Sequence, residues 1–315
     1  MTIFENPRSL AQALARVGYI VTPELATTCV LAHRLGKPLL SEGAPGVGKT
    51  SLARALARAS GGPLIRLQCH DGLEASQALY DWDFAKQILH VRTIEAASAS
   101  AGERIDSLRL DDELHDRTFL LARPILRAIE DSQDLGPTDP RPVLLIDEVD
   151  RAGDEFDALL LEALADWSVT VPELGTISTE TPPLVILTSN RTRDLHDALR
   201  RRCLYQWFDQ PDAEAESRIL ALHVPDAEES IREAVVDAAN RLRGADLLKP
   251  PGTAEAIDWL RALCVLGLDE FDEPSIAATL SAVLKDADDL APARSILNVA
   301  GSDLNITGDG GQWRA

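Results

Sequence analysis

Residues 38–60 read PLLSEGAPGVGKTSLARALARAS, and this stretch decides the fold. Pro38 to Glu42 is a short apolar run of strand length. Lys49 to Ala59 sets Leu52, Ala55, Leu56 and Ala59 on one helical face before Gly61-Gly62-Pro63 stops it. Between them, GAPGVGKT places Gly43, Gly48, Lys49 and Thr50 in the spacing G-x-x-x-x-G-K-[ST]. The order strand, glycine loop, helix gives that spacing its meaning. Glycines let successive backbone N–H groups converge on phosphate oxygens, and the helix N-terminus adds partial positive charge. The lysine reaches the β and γ phosphates, and the threonine hydroxyl can ligate Mg2+. The plainer alternative is a glycine-rich turn with a solvated lysine, which chance rarely sets between a strand and a helix at this spacing. The candidate nucleotide-binding set is therefore Gly43, Ala44, Pro45, Gly46, Val47, Gly48, Lys49, Thr50 and Ser51.

Working outward, two helical patterns, Ser9 to Val17 and Glu24 to Leu35, precede the loop. Four further short apolar runs follow it, Leu64 to Cys69, Val143 to Ile146, Leu184 to Thr188 and Cys203 to Phe208. Each reads as a strand covered on both faces, and helical segments separate them, so a parallel α/β sheet is expected over residues 1–211. The stretch from about 72 to 136 is longer than one crossover requires, which places an insertion at about 72–110. From Asp212 strand signals cease. Ala213 to Leu222, Glu229 to Leu242, Thr253 to Leu263 and Ser275 to Lys285 predict an all-helical domain over 212–290. Residues 291–315, with Gly308, Gly310 and Gly311, are expected to form a loosely held tail.

The chain has 315 residues, of which 45% are hydrophobic and 26% charged, which argues against disorder and for folding by core burial. Its 31 Lys+Arg against 51 Asp+Glu give a net charge of −20, opposite to the footprint of a protein that grips a phosphodiester backbone over a wide face. Cys29, Cys69, Cys203 and Cys264 lie far apart without zinc or redox spacing, so buried thiols in a reducing cytosol are expected. The opening MTIFENPRSL lacks signal-peptide character, and no apolar stretch approaches the ~20 residues that span a bilayer. A cytoplasmic protein is expected.

Three further segments carry chemistry. PVLLIDEVDR puts Asp147 and Glu148 at the carboxyl end of an apolar strand, where open α/β sheets place their ligands. Beside a phosphate loop, Asp147 suits the magnesium shell and Glu148 suits polarising an attacking water. VILTSN ends its strand in Asn190, a neutral group able to orient that water. DLHDALRRRCLYQWFD supplies Arg200, Arg201 and Arg202 at a helix end, where cations also simply suit the macrodipole. As an arginine finger, a guanidinium inserted into a neighbour's site to neutralise transition-state charge, any of the three would serve. Trp82 and Phe84, near the tip of the insertion, either touch a substrate or pack the insertion, and packing is the expected role.

This combination resembles the AAA+ ATPases from about Ala13 to Leu290. More narrowly it resembles the MoxR family. IDEVDRAGDEFDALLLEAL is similar to that family's DEINRA…LLEAM stretch, and VTVPELGTISTETPPLVILTSN to the hairpin before its Asn strand. RLQCHDGLEASQALYDWDFAKQIL resembles the subgroup linked to maturation of molybdenum hydroxylases such as carbon monoxide dehydrogenase. The resemblance implies a five-stranded core of strand order 5-1-4-3-2, an insert in helix 2, a hairpin at about 168–181, ATP and Mg2+ as ligands, and a hexamer with sites shared between subunits. It further implies a partner with a von Willebrand factor A domain that joins the ATPase to a metalloenzyme client. Alignment with the family's D-R-F ending selects Arg202 as the finger, with Arg201 second. Two departures stand out. Asp150 replaces a frequent Asn, and KPPGTAEAIDW occupies the place of an S-P-R element, so no sensor 2 arginine is assigned; Arg261 falls out of register. A nucleic-acid motor or clamp-loader-like ATPase would need basic residues on the hairpin, and 168–181 has none; the insert offers only Lys86, Arg92, Arg104 and, at its end, Arg109. A non-hydrolysing, ATP-dependent scaffold is the third alternative.

Overall fold

The structure, a computed structural model, describes residues 3–101, 107–136 and 139–299. The chain divides into two compact units, Met1–Ala44 with Gly48–Asp209, and Gln210–Ala315 with Pro45–Val47.

The first unit is built on strands β1 (Leu39–Gly43), β2 (Leu64–Gln68), β3 (Tyr80–Trp82), β4 (Leu120–Ala122), β5 (Val143–Asp147), β6 (Ser168–Val171), β7 (Gly175–Ser178), β8 (Leu184–Ser189) and β9 (Leu204–Phe208). Five of them form one parallel sheet in the order β2-β5-β8-β1-β9, which is the expected 5-1-4-3-2 read from the other edge. The central strands β1, β5 and β8 are buried along their whole length, each opening on Leu, Ile or Val covered by helices and ending in buried polar residues at the site. Edge strand β2 departs from the expectation of two covered faces. Its Ile65 and Leu67 are buried while Leu64, Arg66 and Gln68 are exposed, because LIRLQ alternates with the period of the pleat. The register sets the ends of β1, β5 and β8 level, with Ser41 opposite Thr188 and Ile146 opposite Leu187.

The insertion begins with a clasp. β3 pairs antiparallel with β4, Tyr80 opposite Ala122 and Trp82 opposite Leu120, and helices Phe84–Ala101 and Ser107–Leu114 lie between the two strands. The inserted segment therefore extends past residue 110, where no sequence signal marked three-residue strands; residues 102–106, including Arg104, lie outside the described residues. Trp82 is half-buried, edge-on to His115, but Phe84 is 63% exposed and does not pack the insertion. β6 and β7 form the hairpin, Ser168 opposite Ser178.

The second unit holds helices Ala213–His223, Glu229–Arg243, Thr253–Val265, Glu273–Val283 and Leu290–Ile296 around a core that includes Leu220, Val235, Leu242, Trp259, Leu260 and Leu280. The Trp259 indole N–H, buried with its ring, donates to the Thr279 hydroxyl at 2.8 Å, so the core's largest side chain keeps its polar atom paired. Residues expected to begin a loose tail are instead packed: Ala293, Leu297 and Val299 are buried in this core, because the short apolar patch at 296–299 has a hydrophobic face to cover. Residues 300–315 lie outside the described residues. Cys29 and Cys69 are buried and Cys203 half-buried, but Cys264 is exposed near the end of its helix, correcting the expectation of buried thiols. No helix among the described residues is long and apolar enough to cross a membrane.

Candidate functional site

β1 delivers the glycine loop to the carboxyl end of the sheet. Gly43 passes against the neighbouring edge strand so closely that a Cβ there would lie 2.4 Å from the Phe208 carbonyl oxygen, so no larger residue fits. Gly48 caps the helix Lys49–Ser60 with φ of 97°, a left-handed backbone that lets the N–H groups of the first turn face the loop's concavity. The Lys49 ammonium donates to the Gly43 and Ala44 carbonyls, each at 2.7 Å. Burial pulls its pKa below the usual lysine range, opposed by the carboxylates of Asp150, Asp147 and Glu148. Ala44, Pro45 and Ser51 are exposed, and Gly46, Val47, Gly48 and Thr50 half-buried. The Tyr19 hydroxyl donates to the Gly48 carbonyl at 3.4 Å, bringing the loop before helix Pro23–Leu35 to the helix cap.

Asp147 ends β5 and is 3% exposed. Its Oδ1 accepts from the Thr50 hydroxyl at 2.9 Å and from the Thr188 hydroxyl at 2.6 Å. Its Oδ2 accepts from Arg66 Nε at 3.1 Å and Nη2 at 2.6 Å. Thr188 in turn accepts from the Glu148 N–H at 2.9 Å, tying β8 to β5 one residue beyond their ladder. Glu148 has φ of 56° and ψ of 50°, a left-handed conformation costing roughly 1–3 kcal/mol in a non-glycine residue and concentrated at functional sites. Its Oε2 accepts from Gln68 Nε2 at 3.1 Å and pairs with Arg151 Nε at 2.9 Å.

Behind this strand end, buried Asp150 holds the turn that follows β8. Its Oδ2 accepts from the N–H groups of Asn190 at 3.1 Å and Thr192 at 2.8 Å and from the Thr192 hydroxyl at 2.8 Å. Asp150 Oδ1 is buried without a partner among the described residues. The Asn190 amide makes no side-chain hydrogen bond within the described residues, while its backbone is fixed by Asp150. Asp157, fully buried in helix Asp154–Ala163, binds Arg193 through both carboxylate oxygens at 3.0 and 2.7 Å and accepts the His196 N–H at 2.9 Å, which locks the same loop farther along.

The three arginines of helix Asp197–Arg202 separate into different roles. Arg200 grips the buried Glu42 with two bonds of 2.9 and 3.2 Å, and that bond raises its already high pKa. Arg202 Nη1 donates to the Leu161 carbonyl at 3.0 Å. Arg201 is exposed and has no hydrogen bond or ion pair among the described residues. Neither Arg201 nor Arg202 bonds to the glycine loop, Asp147 or Glu148 of its own chain. The structure thus brings Lys49, Thr50, Asp147 and Glu148 together with the Asn190 backbone, and leaves the two arginines apart from them. The sequence reading missed Arg66, Gln68, Thr188 and Arg151. Alternation in LIRLQ and the polar end of VILTSN were the available signals.

The chain matches the family model of the ATPase family associated with various cellular activities (AAA) over residues 39–208, more than half its length. Among solved structures it is similar to Thermotoga maritima RuvB. An arginine-to-alanine variant of that protein is 17% identical, with 82% of this chain and 66% of that chain covered and a TM-score of 0.45. A proline-to-glycine variant is 16% identical, with 88% and 81% covered and a TM-score of 0.49. A further structure, described as a RuvB Holliday junction branch migration motor, is 15% identical, with 88% and 71% covered and a TM-score of 0.43.

Proposed function

Because the chain belongs to the AAA family of ATPases, we propose that it is a MoxR-type remodelling chaperone of the cytoplasm. It hydrolyses ATP at a site completed by a neighbouring copy, in a ring of six. It acts with a von Willebrand factor A domain protein on the maturation of a metalloenzyme. The resemblance of residues 146–164 and 169–190 to MoxR segments supports the narrower family, and the partner and client follow from that resemblance alone.

In this proposal the loop from Gly43 to Ser51 and the Lys49 ammonium grip the β and γ phosphates. The Thr50 hydroxyl and Asp147 carboxylate, 2.9 Å apart, are hard oxygen donors that fit Mg2+, which supplies positive charge to those phosphates when bound with ATP. Glu148 takes the proton of the attacking water, and Asn190 orients it. The neighbour's Arg202, or Arg201, neutralises the developing charge.

One observation carries the shared site: Arg201 and Arg202 make no bond to their own chain's loop, Asp147 or Glu148, and Arg201 has no partner among the described residues. Turnover per chain, measured as phosphate release over protein concentrations that span assembly, should rise with concentration and rise again with the partner protein. A flat profile would refute the shared site. Stimulation by DNA or RNA instead of protein would favour a nucleic-acid motor, against which the absence of Lys and Arg in the hairpin 168–181 speaks.

A further inference from the structure

Asp147 has no free acceptor site. A carboxylate presents about four lone-pair positions, and here they take two hydroxyls on Oδ1 and two guanidinium N–H groups on Oδ2. Any divalent ion, or water bound to one, reaches this carboxylate only if one donor leaves. The four are not equally able to go. Thr188 is 1% exposed and also accepts the Glu148 N–H, so moving it would disturb both acids. Thr50 keeps its lone pairs for a metal while its proton stays on Asp147, so it has no need to leave. Arg66 is different. It sits on edge strand β2 with its side chain 45% exposed, and its stem is long and free to swing. Its Nη2 already bonds Gln68 Oε1, two residues along the same face of the strand, so it keeps a polar partner after release.

We propose that Arg66 is a positioning residue that occupies the Oδ2 acceptor positions of Asp147 and would be displaced by the divalent ion that arrives with nucleotide. The guanidinium keeps a buried carboxylate paired, and so correctly aimed, before nucleotide binds. It also sets the ion's affinity, since the metal competes with a charge already in place. Gln68 extends the consequence. It accepts from Arg66 and donates to Glu148 Oε2, so when Arg66 swings away from Asp147 while still bonded to Gln68, it draws on one of the two groups holding the Glu148 carboxylate. The ion's arrival and the freeing of Glu148 are thereby joined through two residues of one strand.

This inference rests on the nucleotide reading of the site, and the test separates the two. The full-length protein, Arg66→Met, which keeps the stem and removes the charge, and Arg66→Lys, which keeps a charge without the fork, are titrated with Mn2+ in the presence of ADP. Free Mn2+ is followed by electron paramagnetic resonance, and ADP affinity is measured separately in chelator with a fluorescent analogue. Arg66→Met should bind Mn2+ at least roughly tenfold more tightly than the native protein, since two charge-assisted hydrogen bonds to Asp147 no longer compete with the ion, with Arg66→Lys between them. Metal-free ADP affinity should move by less than about threefold. Damage to the site would weaken metal binding, so a gain cannot come from misfolding. Unchanged or weaker Mn2+ binding in Arg66→Met, with native ADP affinity, would overturn the role of Arg66 alone. Failure of the native protein to bind ADP at all would overturn the nucleotide reading and this inference with it.

Discussion

At the carboxyl end of β5 both oxygens of Asp147 are fully engaged, whereas at the end of helix Asp197–Arg202 the Arg201 guanidinium has no partner among the described residues. The two regions differ first in burial. Asp147, Asp150 and Asp157 are all under 4% exposed, and a carboxylate removed from water without donors costs several kcal/mol, so the surrounding residues supply them. An exposed guanidinium is solvated and can stay unpaired at little cost. The strand end is therefore finished within one chain. The arginine end keeps an exposed charge on Arg201 that no described residue of its own chain takes up.

The widest way to break that comparison is to remove the unplaced charge. Replacing Arg201 and Arg202 together by Ala should lower turnover by about 10³ to 10⁵, the range of a finger in trans, while nucleotide affinity stays within about threefold. Steady-state phosphate release and fluorescent-ADP binding check the two halves. Loss of binding with turnover would move the arginines into their own chain's nucleotide site. Arg200, the next residue along the same helix, should behave in the opposite way. Arg200→Ala leaves Glu42 buried at 1% exposure with Arg191, 4.0 Å away, and the Tyr205 hydroxyl in place of the lost guanidinium. The cost should be about 3 kcal/mol, the lower end for breaking a buried pair, and should appear as a lowered denaturant midpoint. A variant as stable as the native protein but as inactive as the double mutant would show that Arg200, and not its neighbours, is the finger.

The same contrast explains what could be read from the sequence. The glycine loop, the acids Asp147 and Glu148 after VLLI, and the five sheet strands were legible because each is local, a spacing or a period within about ten residues carrying the signal, whereas the hairpin came only from the family resemblance. The three arginines were legible only as a group. Which of them is consumed depends on Glu42 and on the Leu161 carbonyl, both remote in sequence, and no local pattern ranks them. Arg66 on Asp147, Asp150 on Thr192 and Arg193 on Asp157 were equally hidden, since each pairs residues brought level only by the sheet register and the loops leaving it. The β3–β4 clasp was missed because strands of three residues lack a period to detect, and the helix Leu290–Ile296 because glycines farther on gave the whole segment the look of a tail.

The smallest expected effect tests the buried side of the comparison most finely. Asp150 stands where the MoxR pattern frequently has Asn, and its two oxygens are used unequally. Oδ2 takes three donors from Asn190 and Thr192 while Oδ1, equally buried, takes none. An amide would keep one oxygen for those three donors and place its NH2 at the orphaned position, at the cost of the carboxylate's charge. Asp150→Asn should therefore change stability by less than about 1 kcal/mol and leave turnover within about threefold. Asp150→Ala should cost about 2–3 kcal/mol, because two backbone N–H groups of the Asn190–Thr192 turn lose their acceptor. It should also slow turnover more than it weakens nucleotide binding, since Asn190 is aimed by that turn. Thermal melts and a split of kcat from KM across the three proteins provide the check. If Asn proves as damaging as Ala, the negative charge itself is needed. It then acts on Lys49, whose ammonium Asp150 favours more than Asp147 or Glu148 does, and not as an acceptor for the turn.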